Sequence, residues 1–167
     1  MRLQSKFLKS KEIIWLNNKN FFLDNNSKTI TFFSKNTNKN YSFIDKDILN
    51  KLINISKKYK IDLRLNLHKS SKDKFHDMII LSRKGTSSDI HLHKKFYTTY
   101  HLLMGKVEFC FYNKKIKQVK KIILNNKKIK IIRISPKIFR SHTTLSNVAI
   151  FHEIRKGPYN RSDIIKK

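Results

Sequence analysis

His91 and His93 are the residues of this chain best placed to do chemistry. On an extended strand, residues two apart share a face and lie about 6.6 Å apart along the chain. Two imidazoles so placed can lean onto one ion at about 2.0–2.1 Å, while Leu92 turns into the opposite layer. By itself such a pair reads more plainly as two exposed strand histidines, because a lysine-rich surface holds such pairs by chance. A second set is Arg64, Asn66 and His68, which alternate with Leu63, Leu65 and Leu67. Their shared face meets water on an open amphipathic strand and points into a pocket in a closed barrel. Glu153 is a candidate carboxylate or catalytic base. Cys110 is the only cysteine, which excludes an internal disulfide and a cysteine-rich zinc site. With no histidine or helix terminus beside it to lower its pKa, it reads as a small packed residue. There is no phosphate-cradling glycine loop, no G-x-S-x-G elbow and no H-E-x-x-H helix, so those enzyme classes lack support.

The elements that must hold these residues read as one helix among many strands. Residues 12–16, 20–24 and 28–34 carry apolar and aromatic side chains between asparagine-rich turns, and read as short strands. The period then changes. Ile44, Ile48, Leu52, Ile55 and Tyr59 recur at steps of three and four, the stripe of an amphipathic helix over 44–59, with Ser42 and Asp45 as a capping box. From Ile61 onward, strands are expected at 63–67, 76–82, 88–93, 98–104, 107–112, 116–124, 129–135 and 148–154. Many short strands with turn residues between them indicate a sandwich or barrel. Val107, Phe109 and Phe111 form a core face. Thr98, Tyr100 and Leu102 share parity and should face inward, whereas His101 has the opposite parity.

Gly85, His91, His93, Thr98 and Gly105 stand at a spacing similar to the first sequence motif of the cupin superfamily. Ser135-Pro136 followed by His142 resembles the second. The helix over 43–59 with Arg64, Asn66 and His68, and the ending His152-Glu153 through Gly157-Pro158-Tyr159, look like the WbuC-type branch. The resemblance covers about residues 44–160 and leaves the first forty unexplained. It implies a mainly β, cupin-type antiparallel jelly roll or β-barrel, preceded by one amphipathic helix and an N-terminal β extension. Residues 1–60 would pack as strands plus helix on a barrel formed by 61–167. It further implies His91, His93 and His142 as metal ligands, His68 and Glu153 as catalytic groups, and Arg64, Asn66, Tyr100 and Tyr159 as substrate contacts.

Two departures from the pattern bear on the metal. Thr98 stands where the family usually has a glutamate ligand, and a neutral hydroxyl is a poor ligand for a hard divalent ion. Three imidazoles would still suit zinc or iron, with manganese or nickel as further options. His142 also falls one residue late after Pro136, where the usual position holds Ser141, so a bulge is needed to turn it inward. The implied function is a role in bacterial O-antigen, surface-polysaccharide or nucleotide-sugar metabolism, including metal-dependent isomerisation or epimerisation of a sugar. The alternatives are a non-catalytic sugar- or protein-binding cupin that has lost its metal, and a basic nucleic-acid-binding protein.

Composition sets the remaining bounds. The chain has 167 residues, about one domain, and a formal charge of +27. The 38 cations are 31 lysines and only 7 arginines, in a chain crowded with asparagine and isoleucine. That mix reads as compositional drift on a solvated surface more than as a nucleic-acid footprint, which favours arginine. The longest apolar run near the N-terminus is the four residues 13–16, too short for a signal segment, and no window approaches a membrane span. The expectation is a cytoplasmic protein, with a homodimer as an option for the N-terminal strands.

Overall fold

The structure, a computed structural model, describes residues 6–24, 29–35 and 42–167. Helix α1 (Lys11–Asn18) stands where the sequence suggested a strand over 12–16. A continuous apolar run of four fits either state, and tertiary contacts decide. Leu16 is buried. Glu12 accepts hydrogen bonds from Lys58 Nζ at 2.9 Å and Tyr59 Oη at 3.0 Å, at the end of helix α2 (Lys46–Tyr59). The bond from Lys58 holds the Glu12 carboxyl down at about 2. In α2 the expected stripe is buried at Ile48, Leu52, Ile55 and Tyr59. Its cap is Asp45 alone, whose carboxylate accepts from Ile48 N–H at 2.8 Å, while Ser42 pairs with Ser34 Oγ.

Twelve strands are defined among the described residues. They are β1 (Phe21–Asp24), β2 (Ile30–Ser34), β3 (Leu63–Asn66), β4 (Phe75–Arg83), β5 (His91–His93), β6 (Thr98–Met104), β7 (Lys106–Tyr112), β8 (Gln118–Asn125), β9 (Ile131–Ile134), β10 (Phe139–Thr144), β11 (Val148–Lys156) and β12 (Ile164–Lys166). β10 and β12 had no sequence signal. The inward face of β10 carries Arg140, His142 and Thr144 rather than apolar residues, and β12 is only three residues long. The turns expected at 25–27 and 35–40 lie, apart from Lys35, outside the described residues.

The strands form two sheets that face each other as a jelly roll. One runs β1-β2-β3-β4-β11-β6-β9 and the other β12-β5-β10-β7-β8. Both N-terminal strands thus continue the larger sheet. β2 and β3 pair in parallel, the connection passing through α2, as a parallel pair requires a crossover. The outer face of the larger sheet is covered by the helices: Phe7, Leu16, Phe32, Leu52, Ile55, Leu63, Leu65 and Leu81 belong to one core. A second core lies between the sheets, built on Tyr100, Leu102, Phe109, Leu124 and Phe151. Strands β2 to β4 therefore bury both faces near the helices. Gly105, at φ +91°, makes the β6–β7 turn against Ser146 and the Val148 carbonyl, where a Cβ would collide. Among the described residues no helix is long and apolar enough to cross a membrane.

Candidate functional site

Strand register determines which side chains enter the space between the sheets. On the larger sheet, Asn66, Met78, Glu153 and Tyr100 lie side by side across β3, β4, β11 and β6. Arg64, Ile80, Phe151 and Leu102 make the next row, and His76, Arg155 and Thr98 the row on the other side. On the smaller sheet, His91 pairs with Arg140 and with Lys166, and His93 pairs with Ile164. The rings of His91 and His93 lie 5.4 Å apart, so both project to one side of β5, as the alternation predicted.

The inward imidazoles lie beside a buried guanidinium. His93, 3 % exposed, is engaged by Arg140, which is 1 % exposed. Nη2 of Arg140 donates to the ring, 2.7 Å from Nδ1 and 3.2 Å from Nε2. Thr98 Oγ1 lies 2.8 Å from the same Nδ1 and accepts a longer bond of 3.4 Å from Arg140. A ring that accepts from a guanidinium is neutral, and burial together with Arg140 lowers His93 to about 2. His91 Nδ1 lies 2.8 Å from the Asp89 carbonyl, and burial, then Arg140, lower its pKa. His142 sits among aromatic rings, 5.6 Å from Phe109 and 5.5 Å from Phe151, and burial lowers it to about 4. Among the described residues no three His, Cys, Asp or Glu side chains gather as a metal would need. At the expected ligand set of His91, His93 and His142, a divalent ion would meet a fixed positive charge beside His93 and no carboxylate at Thr98. The donor set does not fit a metal.

His142 nevertheless faces inward. Lys137 takes a left-handed φ of +63° directly after Pro136. Arg140 and His142 then point between the sheets, while Ser141 turns out to Tyr112 Oη at 2.9 Å.

Beside this closed region the sheets part. A cleft of about 750 Å³ opens toward β1–β3, within the range of about 300–1,000 Å³ common for small-molecule sites. Its walls include Arg64, Asn66 and His68, three of the sequence-selected residues, together with Tyr159. Thr31 and Phe33 of β2 form another side, and Ile164 and Lys166 of β12 close it from the smaller sheet. Asn66 is 2 % exposed and its Oδ1 has no hydrogen-bond partner; Arg64 Nε and Arg155 Nε are likewise buried without a hydrogen bond. A buried polar atom left without a hydrogen-bond partner costs about 1–3 kcal/mol.

His68 stacks on His76 with ring centres 4.3 Å apart and planes 7° from parallel. Asp77 N–H donates to His68 Nδ1 at 3.1 Å. Burial lowers the pKa of His68, and burial followed by the His68 and Arg155 charges lowers His76 to about 4. Both rings are neutral near pH 7. Gly157 makes room for the stack, since a Cβ there would strike the His76 ring. Arg155 sits over Tyr159, 5.4 Å from its ring centre, and its Nε is 3.9 Å from Glu153 Oε1.

Of the other expected site residues, Tyr100 and Glu153 lie deeper, in the inward row shared with Asn66, outside the cleft wall. Burial raises the Tyr100 phenol pKa. His152 turns to the outer face, where it pairs with Asp77 beside the in-register His101. Arg140, Arg155, Arg161, Lys166 and His76 were missed from sequence. The scarcity of arginine was a signal that could have found three of them.

Residues 44–124 match a family described as a domain of unknown function, DUF6016. No curated protein matches in sequence. Among solved structures, the capsular polysaccharide assembling protein CapF from Staphylococcus aureus superposes with a TM-score of 0.54 at 12 % identity, over 62 % of this chain and 31 % of that one. CapF with the inhibitor 3-isopropenyl-tropolone gives 0.53 at 12 % identity, over 62 % and 30 %. QdtA, a sugar 3,4-ketoisomerase from Thermoanaerobacterium thermosaccharolyticum in complex with TDP, gives 0.44 at 20 % identity, over 53 % and 65 %. The chain thus spans under a third of the CapF chains it resembles. At these identities the likeness is one of fold, the cupin-type jelly roll.

Proposed function

We propose that this protein is a jelly-roll protein of surface-polysaccharide or nucleotide-sugar metabolism that takes a sugar-bearing ligand into the cleft between its sheets, without a bound metal. The observation that carries this reading is Asn66: an amide oxygen, almost wholly buried, without a partner, on the wall of the cleft. With Arg64 and His68 beside it, Asn66 gives the cleft wall polar groups suited to sugar hydroxyls. The WbuC-type resemblance of Arg64, Asn66 and His68 and the fold shared with a capsular polysaccharide assembling protein support the choice of ligand, as analogy. The test is calorimetric titration of the protein with a panel of sugar nucleotides, repeated with Asn66→Ala. At least one should bind, and the variant should lose about tenfold in affinity, the weight of one buried hydrogen bond. Failure of the whole panel would sink the proposal.

A catalytic reading rests on His68. It lines the cleft as a neutral imidazole with Nδ1 engaged by the chain, so Nε2 is the atom left for proton exchange with a ligand. Incubation of the binding sugar nucleotide in D₂O should then show deuterium entering the sugar, and His68→Gln should stop it. Binding without exchange assigns a non-catalytic sugar-binding role.

A further inference from the structure

We infer that the cleft contains an anion subsite, built on Arg64 and Arg155 with Arg161 and Lys166 at its open side, that holds the phosphate groups of a phosphorylated ligand. The inference rests on the cleft being the ligand site and adds the chemical class that the site selects.

Charge alone would not distinguish this wall from the rest of a +27 chain. The choice of cation does. Lysine outnumbers arginine 31 to 7, so wherever a positive charge is all that is needed this sequence supplies lysine. Yet of the four cations on the cleft wall three are arginines, set against the single acid Asp24. A lysine is a point charge on a flexible stem, whereas the planar guanidinium fork matches two phosphate oxygens at once.

Hydrogen bonding points the same way. Arg64 Nε and Arg155 Nε are buried without a hydrogen-bond acceptor, as Arg83 Nε and Arg140 Nε are outside the cleft. Glu153, at 3.9 Å from Arg155 Nε, balances part of the charge without forming a hydrogen bond. Lys166 reaches Asp89 at 2.7 Å on the surface, so its charge is shared. Lys166 thus has a close acidic partner, whereas Arg64 Nε and Arg155 Nε have no hydrogen-bond acceptor. The neighbouring His68 and His76 are neutral and add no charge of their own, while Asn66 offers the complementary acceptor. A ligand that fills all of these carries an anion at one end and a hydroxyl or N–H donor near it, as sugar phosphates and nucleoside diphosphate sugars do.

The experiment titrates the full chain with inorganic pyrophosphate, a nucleoside diphosphate, a sugar 1-phosphate and the corresponding neutral sugar. Each titration is run at about 50 mM and about 300 mM salt, to separate site binding from screened surface attraction. Arg64→Met should weaken the phosphorylated probes about tenfold, as one charge-assisted bond is lost. Lys120→Met, on exposed β8, should leave them within about twofold, the small effect of a solvated surface charge. Arg161→Met gives a second readout on an exposed side chain should the Arg64 variant fail to fold. Equal losses in the Lys120 control, or binding abolished at the higher salt with no difference among variants, would overturn the subsite. Binding of neutral sugar with no gain from phosphate would overturn it while leaving the carbohydrate reading standing. Binding of pyrophosphate or nucleotide with no contribution from the sugar would do the reverse.

Discussion

Arg140 decides the chemistry of the closed half of the interior. Its guanidinium reaches His93 and Thr98, two positions that the cupin resemblance assigns to metal ligation. Thr98 and Arg140 form one arrangement: with no carboxylate at 98, the neutral hydroxyl and ring accept from a positive side chain. Reversing both should recreate a metal site. The double variant Thr98→Glu, Arg140→Met is expected to bind about one cobalt(II) ion per chain with the visible bands of a low-symmetry N/O site, while the parent chain binds little. Cobalt titration followed by absorbance checks it, and one tight equivalent on the parent would refute the guanidinium reading. The parity of His91 and His93 was legible because a strand alternates, so two histidines around a leucine must share a side. Arg140 was not. A buried arginine has no local signature between Phe139 and Ser141, and only the rarity of arginine in a lysine-rich chain sets it apart.

The N-terminal elements were half legible. β1, β2 and α2 followed from pattern, but α1 did not, because its identity as a helix comes from Leu16 burial and the Glu12 contacts rather than from its own short apolar run. The reason these elements exist was not legible at all. They cover the outer face of the larger sheet, and β2 also lends Thr31 and Phe33 to the cleft. Deleting residues 1–40 therefore removes Phe7, Leu16, Phe21, Ile30 and Phe32 from the core shared with α2. At about 1.5–3 kcal/mol for each large apolar side chain, the loss is comparable with the whole stability of a domain, about 5–15 kcal/mol. It also bares the β3 edge. The expected product is a chain that binds a hydrophobic dye, lacks near-ultraviolet circular dichroism and melts without cooperativity. A truncated chain that melts sharply near the parent temperature would show that the first forty residues are an appendage.

At the scale of the molecule, the interior stores neutral histidines inside a strongly cationic chain. His76 and His142 are lowered to about 4 and His93 to about 2, and burial lowers His68 and His91 as well. The unfolded chain binds protons on the same residues near pH 6.5. Between pH 6.5 and 4 the unfolded state therefore carries more protons than the native one, and stability falls as pH falls, by up to about 1.4 kcal/mol per pH unit for each of His76, His93 and His142. Above pH 7 both states hold these rings neutral and the dependence vanishes. Repulsion among the cations also grows as acid adds charge to the net +27 and would bend the profile the same way. Salt separates the two causes, because it screens exposed charges and leaves the cost of protonating a buried ring in place. Urea midpoints should hold level from pH 9 to 7 and drop steeply from pH 6.5 to 5, with most of the drop surviving about 300 mM salt. His76→Gln should flatten the slope, since an amide can fill the place beside His68 without taking up a proton. A midpoint that stays level down to pH 5, or a drop that salt removes, would mean that these imidazoles reach water and that the space between the sheets is wetter than the structure describes.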